Sequence, residues 1–203
     1  MIKNLVFDYG QVLVRHNPRP LFQRIFGNDE ASIGELQRIL SGPDFLDPCD
    51  RGTLPFAEII ESAIARHPGY RDALIFFRDH VLEEITGEIE GMGELLPKFK
   101  RAGYRLFGLS NWSNTVYPVI DKYEVFRHLD GMVISCEEHV IKPQPEIYLR
   151  LCDKYGLKPE ECLFTDDRQA NVDGARRVGM EAILFTSAEQ YVTDIGHIYG
   201  IRP

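Results

Sequence analysis

The chain has 203 residues, and its 23 Lys and Arg against 31 Asp and Glu leave a net charge of −8. That balance excludes a general nucleic-acid binder, which needs clustered cations for phosphate backbones, and 44% hydrophobic residues exclude a disordered chain. The length suffices for one large domain or two small ones with a core that needs no staples.

Residues 2–7 read as a short buried strand, ended by Asp8-Tyr9-Gly10. Gly10, Asn17, Pro18 and Pro20 then mark an irregular segment. From 18 to 87 the pattern is helical, with no strand candidate. Phe56, Ile59, Ile60, Ala63 and Ile64 make one stripe, stopped by His67-Pro68-Gly69. Tyr70, Leu74, Phe77, Val81 and Ile85 make another, ended by Gly87. After Gly91 strand and helix alternate: a helix over 94–102, a strand over 104–109 ending in Ser110-Asn111, and a helix over 114–123. A strand over 131–135, a helix over 145–155, and a strand over 162–165 ending in Asp166-Asp167 follow. The series closes with a helix over 169–178 and a strand over 181–185. Such alternation predicts right-handed βαβ units and a parallel sheet, interrupted after its first strand by a helical insertion.

Ligands of an open parallel sheet bind beyond the carboxyl ends of its strands. Those ends carry Asp8, Ser110-Asn111 and Asp166-Asp167, and Lys142 in the loop 139–145 belongs to the same rim. Three carboxylates converging without a metal would repel and raise at least one pKa. A hard divalent cation such as Mg²⁺ resolves that repulsion, because it prefers oxygen ligands and a phosphate partner. Lys142 and Ser110 would then hold the remaining phosphoryl oxygens.

Four segments in order, FDYGQVLV at 7–14, LSNW at 109–112, KPQPEIY at 142–148 and FTDDRQANVDGA at 164–175, resemble the motifs of the haloacid dehalogenase (HAD) superfamily of hydrolases. The resemblance covers nearly the whole chain. It implies an α/β fold: a Rossmann-like parallel-sheet core from residues 1–16 and 88–203, with an all-helical cap, 17–87, inserted after the first strand. It also implies that Asp8 is the nucleophile, forming an aspartyl-phosphate. Ser110 and the backbone N–H of Asn111 would bind phosphate, and Lys142 would stabilise charge. Asp8, the Gly10 carbonyl and Asp167 would hold Mg²⁺, with Asp166 as a second, often outer, acid. Asn171 falls where relatives often carry another acid and could hold a metal-bound water.

The chain departs from most family phosphatases at Gly10, where they have a second Asp that protonates the leaving group. General acid catalysis of that kind is typically worth ~10²–10⁴-fold. The resulting DxG motif is similar to two branches, the metal-independent 2-haloacid dehalogenases and the small sugar-phosphate phosphatases, glucose-1-phosphate phosphatases among them. Dehalogenases carry neutral residues in place of Asp166-Asp167, so the adjacent carboxylates favour the phosphatase. The expected function is therefore Mg²⁺-dependent hydrolysis of a small phosphate monoester. The alternatives are a metal-independent dehalogenase or a phosphate-binding regulatory protein.

His16, just past the first motif, is a candidate substitute for the missing acid. Arg51-Gly52-Thr53 resembles a cap loop that faces substrate in relatives, which makes Arg51 a candidate substrate ligand. Arg168 is expected to balance the acidic pair, and Trp112 to pack against the cap or line the pocket. Cysteines 49, 136, 152 and 162 contain no CxxC pair and read as reduced thiols of a cytoplasmic protein. No signal peptide or membrane span is expected, and the partners are a small phosphate ester and, at most, a second copy of the chain.

Overall fold

The first strand, β1 (Asn4–Phe7), is buried at every position. Its apolar run is accommodated because it lies in the middle of a sheet covered on both faces. In the computed structural model, which describes residues 1–203, β1 pairs in parallel with β4 (Arg105–Ser110) on one side and β6 (Cys162–Asp166) on the other. β5 (Gly131–Ile134) and β7 (Glu181–Leu184) complete a five-stranded parallel sheet of order β5-β4-β1-β6-β7. Alternation along β1 sends Leu5 and Phe7 to one hydrophobic cluster and Val6 to the other.

The first face is covered by α6 (Met92–Arg101) and α11 (Ala188–Tyr199), which contribute Leu96, Phe99, Tyr191 and Ile195. On the second face α9 (Pro145–Tyr155) and α10 (Gln169–Arg177) contribute Ile147, Leu151, Val172 and Ala175. Helix α11 was not anticipated from the sequence, although its capping signal is there. The Ser187 hydroxyl accepts the Gln190 N–H at 3.1 Å, the first half of a capping box.

Between β1 and α6 the chain makes α1 (Arg19–Phe26), α2 (Glu30–Ser41), α3 (Pro43–Arg51), α4 (Phe56–Arg66) and α5 (Arg71–His80). Their inner faces form a third apolar cluster around Leu36, Ile60 and Leu74. The insertion is not all-helical. The stripe drawn from Tyr70 to Ile85 breaks at His80, where a 3₁₀ turn, Val81–Glu84, leads into strand β3 (Ile85–Glu88). This strand pairs antiparallel with β2 (Val14–His16), in the segment that reads as irregular from sequence. The ribbon joins stretches some seventy residues apart, so no local periodicity announces it.

One contact ties the sheet to the turn after β1. The buried Tyr9 ring lies against Gly108, and a Cβ at 108 would stand 2.4 Å from the Tyr9 hydroxyl oxygen. Only a residue without a side chain leaves room for this ring. Gly108→Ala should therefore cost about 1–3 kcal/mol of stability by overpacking, read as a lower denaturation midpoint, and should disturb the residue next to Asp8.

Candidate active site

β4, β1 and β6 are neighbours at the centre of the sheet, so their carboxyl ends deliver side chains to one place. Asp8 follows β1 directly, Ser110 ends β4, and Asp166 ends β6 with Asp167 next to it. The Asp8 N–H donates to Thr165 O at 2.9 Å, which continues the β1–β6 ladder up to the site. Carboxylate oxygens of Asp8, Asp166 and Asp167 lie within 4.8 Å of one another.

Lys142 stands in their midst, almost fully buried. Its Nζ donates to Asp8 Oδ1 at 2.8 Å, Asp166 Oδ2 at 2.7 Å and the Leu109 carbonyl at 3.0 Å. Burial pulls the ammonium pKa down, but the charges of Asp8 and Asp166 outweigh it and the net displacement is upward, so Lys142 stays charged. The same burial raises the Asp8 pKa, with Lys142 opposing the rise and Asp166 adding to it. Burial and Asp166 likewise raise Asp167. One buried cation therefore faces three carboxylates, with the exposed Arg168 adding a weaker positive influence on Asp167.

The three acids are not equivalent. Asp166 Oδ1 accepts from the Arg168 N–H at 2.9 Å and Asn171 Nδ2 at 3.0 Å, while Oδ2 accepts from Lys142 and Asn171. With both oxygens occupied and no solvent exposure, Asp166 positions Lys142 and is poorly placed as a direct metal ligand. Asp8 Oδ1 is held by Lys142 and by the Tyr9 N–H at 2.7 Å, which leaves Oδ2 free of protein donors. Asp8 and Asp167 thus offer carboxylate oxygens to the cavity, the kind of ligand a hard cation prefers.

Asn111 has a role that sequence reading missed. Its side chain accepts the Lys142 N–H at 2.7 Å and donates to the Lys142 carbonyl at 3.0 Å. It thereby fixes the lysine's backbone, and only its own N–H is left for a phosphoryl oxygen. Asn171 holds Asp166 through Nδ2, while its Oδ1 takes no donor from the chain and the residue lines the cavity. Arg168 reaches the acidic pair through its backbone N–H; its side chain is exposed at the cavity.

A cavity of about 390 Å³ opens above these groups between core and cap. Its floor includes Asp8, Gly10, Ser110, Lys142 and Asp167, and its cap wall includes Phe22, Phe45, Phe56 and Phe77. Trp112 lines it as well as packing against the core cluster. His16 reaches the cavity from β2, with Nε2 3.4 Å from Glu84 Oε2.

Arg51, expected from sequence to face substrate, does not line the cavity. Its guanidinium donates to Gln144 Oε1 at 3.1 Å and the His139 carbonyl at 3.4 Å, which turns it onto a core loop. Its neighbour Asp50 does line the cavity. The Arg51-Gly52-Thr53 sequence marks the right turn, but only the fold shows which nearby side chain points inward. A Cβ at Gly10 would meet nothing within 4 Å, so a carboxyl is absent from that position for no steric reason.

A central acid on each of two adjacent strands, a buried lysine and a helical insertion after strand one define a class, and the family comparison agrees: haloacid dehalogenase-like hydrolases match residues 2–179, and the chain belongs to that family. Among curated relatives, glyceraldehyde 3-phosphate phosphatase of Pyrococcus furiosus is 30% identical over 101 residues, 48% of this chain and 42% of that protein. (S)-2-haloacid dehalogenase 4A of Burkholderia cepacia is 31% identical over 91 residues, 44% and 39% respectively. The aligned parts thus span less than half of either relative. A HAD family enzyme of Bacteroides thetaiotaomicron, solved as an Asp-to-Ala mutant with magnesium and inorganic phosphate, superposes with a TM-score of 0.74 at 20% identity, covering 93% of this chain and 96% of that one. No helix is long and apolar enough to cross a membrane.

The charge excess at the site makes a stability prediction. The Asp8 pKa rises from 3.8 to about 7 on folding. A carboxyl raised in this way favours the folded state fully below its unfolded pKa, and that contribution is lost as pH rises through the folded value. With EDTA at pH 8, Asp8→Asn should therefore melt above the wild type, by about 2–4 °C per kcal/mol relieved. Thermal melts should show the gap closing toward pH 5.

Proposed function

We propose that the protein is a Mg²⁺-dependent phosphomonoester hydrolase of a small phosphorylated metabolite, sugar phosphates included, acting through an aspartyl-phosphate at Asp8. The observation that carries this reading is the excess of carboxylate at the site: Asp8, Asp166 and Asp167 within 4.8 Å of one another around a single lysine. A dehalogenase that attacks carbon has no use for such charge. A phosphate ester needs a cation to approach it, and the Bacteroides enzyme was crystallised with magnesium and phosphate together.

Asp8 supplies the attacking oxygen, with its other oxygen held by Lys142 and the Tyr9 N–H so that the carboxylate cannot swing away. Ser110 and the Asn111 N–H take phosphoryl oxygens at the floor of the cavity, and Lys142 neutralises charge that develops there. Asp166, Asn171 and Asn111 act on Lys142 and keep it in place. Held by Asp8, Asp167 and the Gly10 carbonyl, Mg²⁺ would supply further neutralisation of the phosphoryl group. The cap's aromatic wall offers the alcohol part an apolar surface away from water. Four free thiols, three of them buried, suit the cytoplasm.

Hydrolysis of phosphate esters should stop in EDTA and return with Mg²⁺, and Asp8→Asn should lower turnover by on the order of 10³-fold or more. A panel of esters assayed with each metal state provides the check. Full ester hydrolysis in EDTA would remove the metal from this reading, and chloride release from 2-chloropropionate without ester hydrolysis would replace it with the dehalogenase.

A further inference from the structure

The missing acid of the first motif leaves a proton to be supplied, and one group on the cap is built into a position to supply it. We propose that Asp50 is the general acid and base of the reaction, delivered from the cap to the oxygen of the leaving group, in the role that a carboxyl at residue 10 would otherwise fill. The inference rests on the phosphatase reading above.

Asp50 lies in the last turn of α3 and lines the same cavity as Asp8, Ser110 and Lys142. Its carboxylate takes no hydrogen bond or ion pair within the chain, whereas its neighbours Asp47 and Arg51 bond to each other. It is therefore a half-buried acid with both oxygens available to a ligand. Held loosely, such a group would be a poor catalyst, but the backbone around it is clamped to the core. The Ser135 hydroxyl donates to the Asp50 carbonyl, and His139 Nδ1 donates to the Arg51 carbonyl at 2.7 Å. The Arg51 guanidinium reaches back to Gln144 and His139. Gly52, with φ of +60°, closes the turn so tightly on Cys136 that a Cβ would lie 2.4 Å from the Cys136 carbonyl oxygen. Contacts at three successive residues, 50 to 52, hold the backbone that carries this cap side chain against the core.

Its surroundings also suit a proton donor. Burial, opposed by Lys142, reinforced by Asp47 and opposed by Arg168, pushes the Asp50 pKa from 3.8 up to about 6. A donor works best with a pKa near the working pH. Cys49 and Cys136, the other titratable groups beside it, are raised and stay neutral. His16, the candidate named from sequence, is a weaker choice, because its Nε2 already faces Glu84 and its side chain is 42% exposed.

The proton count closes over the cycle. As an Asp8 oxygen bonds to phosphorus, the bond from phosphorus to the ester oxygen breaks, its electron pair stays on that oxygen, and the Asp50 carboxyl protonates it. The alcohol leaves and Asp50 is a carboxylate. That carboxylate then takes a proton from the water that attacks phosphorus, the Asp8–phosphorus bond breaks to restore the Asp8 carboxylate, and inorganic phosphate departs with Asp50 protonated again.

The test is a series of substituted phenyl phosphates, from nitro to methoxy, assayed with Mg²⁺ on the wild type, Asp50→Asn and Asp50→Glu. Such esters keep the aryl group that the cap wall accommodates while varying leaving-group pKa alone. Asp50→Asn should lose about 10²–10⁴-fold on the poorest leaving group and less than about tenfold on the best, a steeper dependence than wild type. Asp50→Glu, which keeps the carboxyl, should retain the shallow dependence, and thermal melts should place both variants close to wild type. Equal slopes for wild type and Asp50→Asn, including a uniform loss across the series, would overturn the assignment of Asp50 and leave the phosphatase reading standing. A wild type that hydrolyses none of these esters and none of the wider panel would remove both.

Discussion

Everything at this site depends on one buried ammonium. Lys142 Nζ is shared between Asp8, Asp166 and a main-chain carbonyl, and water has almost no access to it. A buried cation of this kind is tolerated only with its charge matched and all its protons bonded. The three acceptors meet that demand, and Asn111 grips the backbone on both sides of the lysine's α-carbon. The remaining negative charge on Asp167 and the free oxygen of Asp8 then stands unbalanced at the cavity floor. Surplus charge of this kind is held at the expense of stability, as is common where a site serves function rather than folding.

The cap contributes shape and a few polar groups, Asp50 among them. Its helices bury their own cluster around Leu36, Ile60 and Leu74, so the insertion does not need the core's apolar surface for its packing. It meets the core in two ways: the ribbon of β2 and β3, and the clamp of residues 50–52 on the short helix α8 (Ser135–Glu138) and the loop that follows it. The first fixes where the cap is attached, and the second fixes what it presents. Aromatic rings from α1, α3, α4 and α5 wall the cavity, and Asp50 and Glu84 are the cap carboxyls among them, Glu84 facing His16.

Local pattern made much of this legible. Runs of β-branched and apolar residues alternating with helical stripes after Gly91 correspond to β4 through β7 and the helices between them, with shifts of one or two residues at the ends. Polar residues at the ends of apolar strands singled out Asp8, Ser110, Asp166 and Asp167, because in a parallel sheet those ends lie on one rim. The β2–β3 ribbon was not legible. Its strands are three and four residues long, and each exists because of a partner far away in the chain. Helix α11 differs, since its capping signal is local and present in the sequence.

The sequence by itself determined the class of chemistry: three acids, a hydroxyl and a lysine at strand ends in a parallel sheet leave few other uses. Tertiary structure decided the roles. Asp166 and Asp167 are adjacent and chemically identical, yet burial and four hydrogen bonds make one a support for Lys142 and leave the other to the cavity. Asp50 and Arg51 are adjacent too, and the phase of α3 together with the core loop turns Asp50 inward and Arg51 away. Composition and spacing say which groups are near a site, because chain connectivity carries them there. Direction, solvation and pairing are set by atoms from distant segments, and those exist around a residue only once the chain has folded.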